Sequence, residues 1–203
     1  MSGPETVRRH RRDDVALVAL RILDDHGLAD LTMRRLAASL DVQPSALYWH
    51  FENKQTLIAE LADRIVDAHP APVDAVSEAG SDWRERTRVE AEALRDALLA
   101  YRDGAEVVSS TYALGLGSGR ALTRLTDAVS VAGFDEATSR RAGTVLLHFI
   151  LGHVSHEQQR MQYDSVGVLA DAATDPLGQE DQAQAFAFGV GLLVDGLAAL
   201  SVR

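Results

Sequence analysis

The sequence predicts an all-α protein of nine or ten helices, divided between a small N-terminal three-helix domain and a larger helical domain behind it. Two observations carry the fold class. Apolar residues recur three and four apart, the spacing of one helix face, and the alternation that marks strands is nearly absent. Proline is scarce, with five in 203 residues, so most segments between turn signals are free to remain helical. A third observation divides the chain. Its net charge is −10, yet residues 1 to 54 hold eight basic and eight acidic side chains, leaving twelve and twenty-two for the rest. The first quarter can face a polyanion, and the acidic remainder mostly should not.

The elements follow in order. Residues 13 to 26 make the first helix, with Val15, Ala19, Ile22 and Leu23 inward and Gly27 as its C-terminal stop. Thr32 caps a short second helix that runs through Ser39 and buries Leu36 and Leu40. Asp41 takes the next turn, where Asp tolerates a positive φ better than most residues. Pro44 biases Gln43 out of the helical region and itself suits the first helical position, so a third helix runs from Pro44 to about His50. The strongest break is His69-Pro70-Ala71-Pro72. Later breaks fall at Asp103-Gly104, Gly115 to Gly119, Gly133-Phe134, Tyr163 to Ser165 and Pro176 to Gly178. They bound two long final helices, about 135 to 157 and 179 to 200, with residues 165 to 178 as a surface excursion between them.

Two short helices joined by a tight turn form a helix-turn-helix, whose second helix enters the DNA major groove with its N-terminal residues toward base edges. Leu47 faces the core, which leaves Gln43, Pro44, Ser45, Ala46, Tyr48 and Trp49 in or beside the groove. Gln pairs with adenine, Ser with several bases, and Ala or an aromatic edge meets a thymine methyl. Arg34 and Arg35 reach a base or a phosphate, while His50 and Lys54 flank the far end as phosphate contacts. The competing reading makes Tyr48 and Trp49 ordinary core aromatics, but adjacent residues on one short helix do not share a face. Arg8, Arg9, Arg11 and Arg12 form a basic arm for phosphates or the minor groove, or else a solvated tail.

Residues 31 to 61, LTMRRLAASLDVQPSALYWHFENKQTLIAEL, closely resemble the DNA-binding segment of TetR-family repressors. Ala46-Leu47-Tyr48-Trp49-His50-Phe51, followed by Asn53-Lys54 and Leu57, is highly specific to that family. The resemblance implies base contacts from the groove-facing residues, phosphate contacts from Tyr48 and Lys54, and a connecting helix from Asn53 to about Ala68. The expected domains are residues 1–52 for DNA binding, 53–69 for the connecting helix and 70–203 for ligand binding and dimerisation.

The likeness extends further. Tyr101-Arg102-Asp103-Gly104-Ala105, His148-Phe149 with Leu151-Gly152, and Ala187-Phe188-Gly189 with Gly196-Leu197 resemble the tetracycline-repressor branch of the family. It implies a homodimer whose last two long helices pair with their symmetry mates in a four-helix bundle. It also implies a palindromic operator and a small-molecule effector that releases it. Both helices are apolar over a wide arc, which requires two partners. Val145, Leu146, Ile150 and Val154 on one, with Phe186, Val190, Leu193 and Leu197 on the other, are the expected interface, a thick monomer core being the alternative. Gly143, Gly152, Gly189 and Gly196 would allow close helix approach. The expected pocket comprises Tyr101, Val108, Thr111, Tyr112, Leu114, Leu122, Leu125, His148 and Phe149. In tetracycline repressors a His after the Arg-Asp-Gly turn helps hold a magnesium ion, assisted by an acid on the interface helix, and a His ends the connecting helix. Here Val108, His156 and Pro70 stand at those places. The expectation is a ligand other than magnesium-tetracycline, with no cofactor. The lever from ligand to DNA is expected to run through Ala68-His69-Pro70.

The remaining motifs point elsewhere only weakly. His148, His153, His156 and Glu157 invite a metal reading, but tetrahedral zinc would need a further ligand. His156-Glu157-Gln158-Gln159-Arg160 lacks the second His of a zinc-protease motif, and Gly115-Leu116-Gly117-Ser118-Gly119 follows no strand, so it is no dinucleotide loop. With no cysteine and no nucleophile elbow, no enzyme is expected. A chain without about 18 uninterrupted apolar residues or an N-terminal apolar signal is expected to be cytoplasmic, with no membrane partner. A helix-turn-helix activator, or a repressor controlled by a protein partner, is the alternative functional reading.

Overall fold

A computed structural model describes residues 10–72, 82–165 and 179–200, and among these every regular element is a helix. The order is α1 (Arg12–His26), α2 (Met33–Ser39), α3 (Pro44–Leu47), α4 (Lys54–Ala68), α5 (Trp83–Leu99), α6 (Gly104–Ala113), α7 (Arg120–Ser130), α8 (Glu136–Ser165) and α9 (Gln179–Leu200). Local chemistry sets the boundaries. The Gly27 amide closes α1 by donating to the Leu23 carbonyl at φ +83°. Thr32 accepts from the Arg35 amide at the start of α2, and Asp41 turns the chain at φ +54°. Gln43 is extended and Pro44 opens α3. Asn53 and Thr56 cap α4 reciprocally, each side chain accepting from the other's backbone amide, an arrangement whose loss costs about 1 kcal/mol.

Two elements differ in length from the sequence expectation. Regular helix in α3 ends at Leu47, and the chain leaves it in a tighter turn in which the His50 and Phe51 amides both donate to the Leu47 carbonyl. In the other direction, α8 continues to Ser165 instead of closing near 157. Glu157-Gln158-Gln159-Arg160-Met161-Gln162 contains no breaker, and Glu157, Gln158 and Gln162 are each bonded to α5 or to the turn after it. The expected excursion beyond Ser165, like Arg8 and Arg9, lies outside the described residues.

The head packs α1 to α3 against the first turns of α4 around Val15, Leu23, Leu36, Leu47, Phe51 and Leu57, all essentially buried. Helices α5 to α9 form the body around Leu94, Leu98, Val107, Leu125, Leu146, Ile150, Val154 and Phe186. Helix α4 belongs to both: Leu57 joins the head core, and Val66 faces a body cleft. At one crossing the body depends on glycine, since a Cβ on Gly143 would stand 2.5 Å from Thr126 Oγ1 of α7.

Candidate DNA-reading surface and effector cleft

Leu47 and Phe51, four residues apart and both buried, pin α3 and its exit turn to the head core. Everything else on that short segment turns outward. Gln43, Pro44 and Ser45 are exposed, Ala46 and His50 half-buried, Tyr48 half-exposed and Trp49 87% exposed. Arg34 is open to solvent on α2, while Arg35 is half-buried and pairs with Asp30 at 2.8 Å. Lys54, the first residue of α4, lies partly buried at the far end. The residues read as groove and phosphate contacts thus lie on α2, on α3 with its flanking turns, and on the first turn of α4.

Arg12 stands apart from that surface. It is the first residue of α1, its guanidinium sits 4.5 Å from the centre of the Phe51 ring, pairs with Glu60 at 2.9 Å and donates to the His50 carbonyl. Arg64 then links Glu60 back to Asp13. Burial pushes the Glu60 carboxyl up, but hydrogen bonds from Arg12 and Arg64 outweigh it and hold the group below its usual range. Arg12 is therefore a brace between α1 and α4, and the ring nitrogen of His10, just ahead of α1, lies 3.0 Å from the Leu40 carbonyl.

Behind the head, a shallow cleft open to solvent on one side lies between α4, α6, α7 and α8. Val108, Thr111, Tyr112 and Leu122 line it, joined by Ala62, Asp63 and Val66 of α4, Leu116, Arg120 and Leu147. Other residues expected in the pocket lie elsewhere. Leu125 is fully buried in the core and Leu114 is exposed. Tyr101 offers its carbonyl to Gln158, His148 lies exposed and edge-on to Tyr112, and Phe149 stacks on Phe186. Side chains on the cleft's rim clip it to α4. The Ser118 amide donates to both Asp63 oxygens at 3.1 Å and its hydroxyl to Oδ1 at 2.5 Å. Arg120 pairs with Asp67, and Arg124 donates to the Val66 carbonyl and to Glu90. The contact between lever and body thus runs through Asp63 to Asp67, whereas Ala68, His69 and Pro70 are exposed. Sequence reasoning missed Asp63 and Ser118. A signal existed, because Asp63 interrupts the border of the apolar stripe Ala59, Ala62 and Val66.

A second clasp joins head to body at the Arg-Asp-Gly turn. Asp103, at φ +56°, accepts the Leu28 amide at 2.8 Å, and the Arg102 amide donates to Asp24. Gln162 holds the other Asp103 oxygen and Gln158 spans the Leu98 and Tyr101 carbonyls and the Ala105 amide.

Comparison with known proteins decides what this arrangement is. Residues 17–61 match the family described as bacterial regulatory proteins, tetR family, and residues 77–168 match the tetracyclin repressor-like C-terminal domain. The class E tetracycline repressor of Escherichia coli is 35% identical over 92% of this chain and 90% of its own length. The chain belongs to the TetR family. Among solved structures, Mycobacterium smegmatis BioQ is 43% identical, covering 94% of this chain and 98% of its own with a TM-score of 0.81. A crystal structure of BioQ with its double-stranded DNA operator is 40% identical, covers 94% of this chain and 99% of its own and superposes with a TM-score of 0.76. The protein is a helix-turn-helix transcription regulator of that family.

In this TetR-family chain α8 and α9 divide their apolar residues between two faces. Leu146, Ile150, Val154, Phe186 and Val190, expected at a dimer interface, are buried inside the single chain, where α8 and α9 pack on each other and on α5. Leu193 and Leu197 are half-buried and Val145 is exposed. The outward large apolar residues on the two helices are Val145, Met161, Tyr163, Phe188, Leu192 and Leu200. Of the expected close-approach glycines, Gly143 meets Thr126 and Gly189 meets Phe149 within the chain, while Gly152 and Gly196 have open space above them. The residues of the metal reading are engaged otherwise: His153 lies 3.2 Å from the Gln182 carbonyl, and Glu157, 4% exposed, forms a two-pronged pair with Arg95.

Proposed function

We propose that this regulator is a cytoplasmic repressor that grips a palindromic operator as a homodimer and lets go when a small molecule, other than magnesium-tetracycline, enters the cleft beside α4. The observation that carries the reading is the outward display of Gln43, Ser45, Tyr48 and Trp49 from a helix anchored by Leu47 and Phe51. A Trp left 87% exposed gains nothing from folding and is the kind of side chain that meets a partner. Relatives described as tetracycline repressors, and BioQ with its operator, support the same assignment.

Dimerisation rests on the uncovered face of α8 and α9. Gln182–Leu200 has a mean hydropathy of 1.7, yet only 17% of that window is buried within the chain. Phe186, Val190 and Val194, at four-residue spacing, seal one side of α9 against its own body, and Phe188 and Leu192 stand on the other. Gly152, Gly191 and Gly196 leave open space into which a second copy's helices fit closely. Effector control rests on the cleft's position: its wall is the lever. A ligand that shifts α4 re-aims two heads that must meet half-sites about 34 to 36 Å apart, so a displacement of a few ångströms disfavours DNA.

Selection of bound duplexes from a random pool by the purified full chain tests this. The expected result is a palindromic consensus; no enrichment, or a single asymmetric site, refutes the reading.

A further inference from the structure

We infer that the cleft selects an apolar molecule carrying a cationic hydrogen-bond donor, and that this donor takes Asp63 from Ser118. The inference rests on the reading of the cleft as the effector site and adds the ligand's chemical class and its point of action.

Only two of the lining residues are charged, Asp63 and Arg120. Arg120 is spent, paired with Asp67 while its Nε donates to Ser118 Oγ at 3.0 Å. Arg124, at the cleft's edge, is committed to Glu90 and the Val66 carbonyl. Asp63 is different: the donors it accepts from are the neutral amide and hydroxyl of Ser118. The cleft therefore presents one carboxylate that has no cationic partner among the described residues, against a wall of Ala62, Val66, Val108, Leu122 and Leu147. An ammonium or amidinium entering there replaces a neutral hydrogen bond by a charge-assisted one, about twice as strong. An anion of the same shape gains no such bond and is repelled by the Asp63 carboxylate.

The same atoms work the lever. Ser118 lies in a loop with Gly115, Gly117 and Gly119 all at positive φ, and such a loop yields readily when its anchor is taken. Ser118 is also the second partner of Arg120, so displacing it loosens the Arg120 to Asp67 clip as well. Ligand binding and release of α4 from the body are then one exchange of partners at Asp63.

The test is calorimetric titration of the full chain at neutral pH with three size-matched probes: naphthylmethylammonium, naphthylmethanol and naphthoate. The cation is expected to bind at least about tenfold more tightly than the anion, the alcohol falling between. Asp63→Asn, which keeps shape and an acceptor for Ser118, should erase that preference, and Ser118→Ala should strengthen cation binding by removing the hydroxyl that competes for Oδ1 while the backbone amide stays. Circular dichroism and melting temperature report whether each variant is folded; if Asp63→Asn is not, the direction of the Ser118→Ala change decides. Naphthoate binding as tightly as the amine, no probe binding at millimolar concentration, or an unchanged preference in folded Asp63→Asn overturns the inference. Binding of the selected duplex is measured in parallel. A protein that binds DNA but shows no charge preference sinks only this inference. One that shows the preference but ignores DNA sinks the repressor reading instead.

Discussion

At the scale of single residues the reading surface is sharply divided between anchors and contacts. Tyr48→Ala removes an exposed ring and should weaken operator binding without a change in melting temperature. Lys54→Ala should weaken it across all sequences and reduce the slope of log affinity against log salt by about one, the signature of a lost phosphate contact. Fluorescence anisotropy over a salt series reads both. The brace at Glu60 makes a different prediction. Its carboxyl is held below the ordinary range when folded, so its contribution is complete above that range and lost as the pH falls through it. Glu60→Gln should lower the melting temperature at neutral pH, and the gap to the parent should close in acid. The backbone of the candidate reading surface was legible because it is local: Thr32, Asp41, Gln43 and Pro44 each set a backbone geometry within three residues of themselves. Arg12 was not. It is the first residue of α1, and its partners Phe51 and Glu60 are brought to it only by the packing of α4.

At the scale of elements, spacing of apolar residues located the helices but not which face each one buries. Leu146 and Val145 are neighbours on a helix apolar over a wide arc, and only the packed body decides that the first turns in and the second out. The same holds for the glycines, since Gly143 and Gly152 look alike in sequence while one is pressed against Thr126 and the other is open. Helix α8 was read about two turns short, and the bonds that hold those turns all lead to distant residues. Openness above Gly152 makes a clean prediction: Gly152→Leu has room in the single chain and fills the space a second copy would occupy. Sedimentation velocity should show a folded monomer where the parent is a dimer; a variant that remains dimeric at the same concentration argues against this face.

At the scale of the whole molecule, head and body are joined at two places. Asp63, Val66 and Asp67 of α4 are held by the segment that follows α6, and the end of α1 is held by Arg102 and Asp103, themselves set by Gln158 and Gln162 of α8. The cleft, α8 and the head are therefore mechanically connected, and the connection could not be read from the sequence because each clip pairs residues more than fifty positions apart. In the proposed dimer the two heads are rigidly spaced, and one measurement tests that directly: affinity for the selected palindrome against the same duplex with five base pairs inserted at its centre. Half a helical turn moves the half-sites to opposite faces of the DNA. Rigidly paired heads should lose at least about a hundredfold in affinity, the worth of one half-site's specific contacts. Equal affinity for the two duplexes would contradict the paired grip on which the proposal stands.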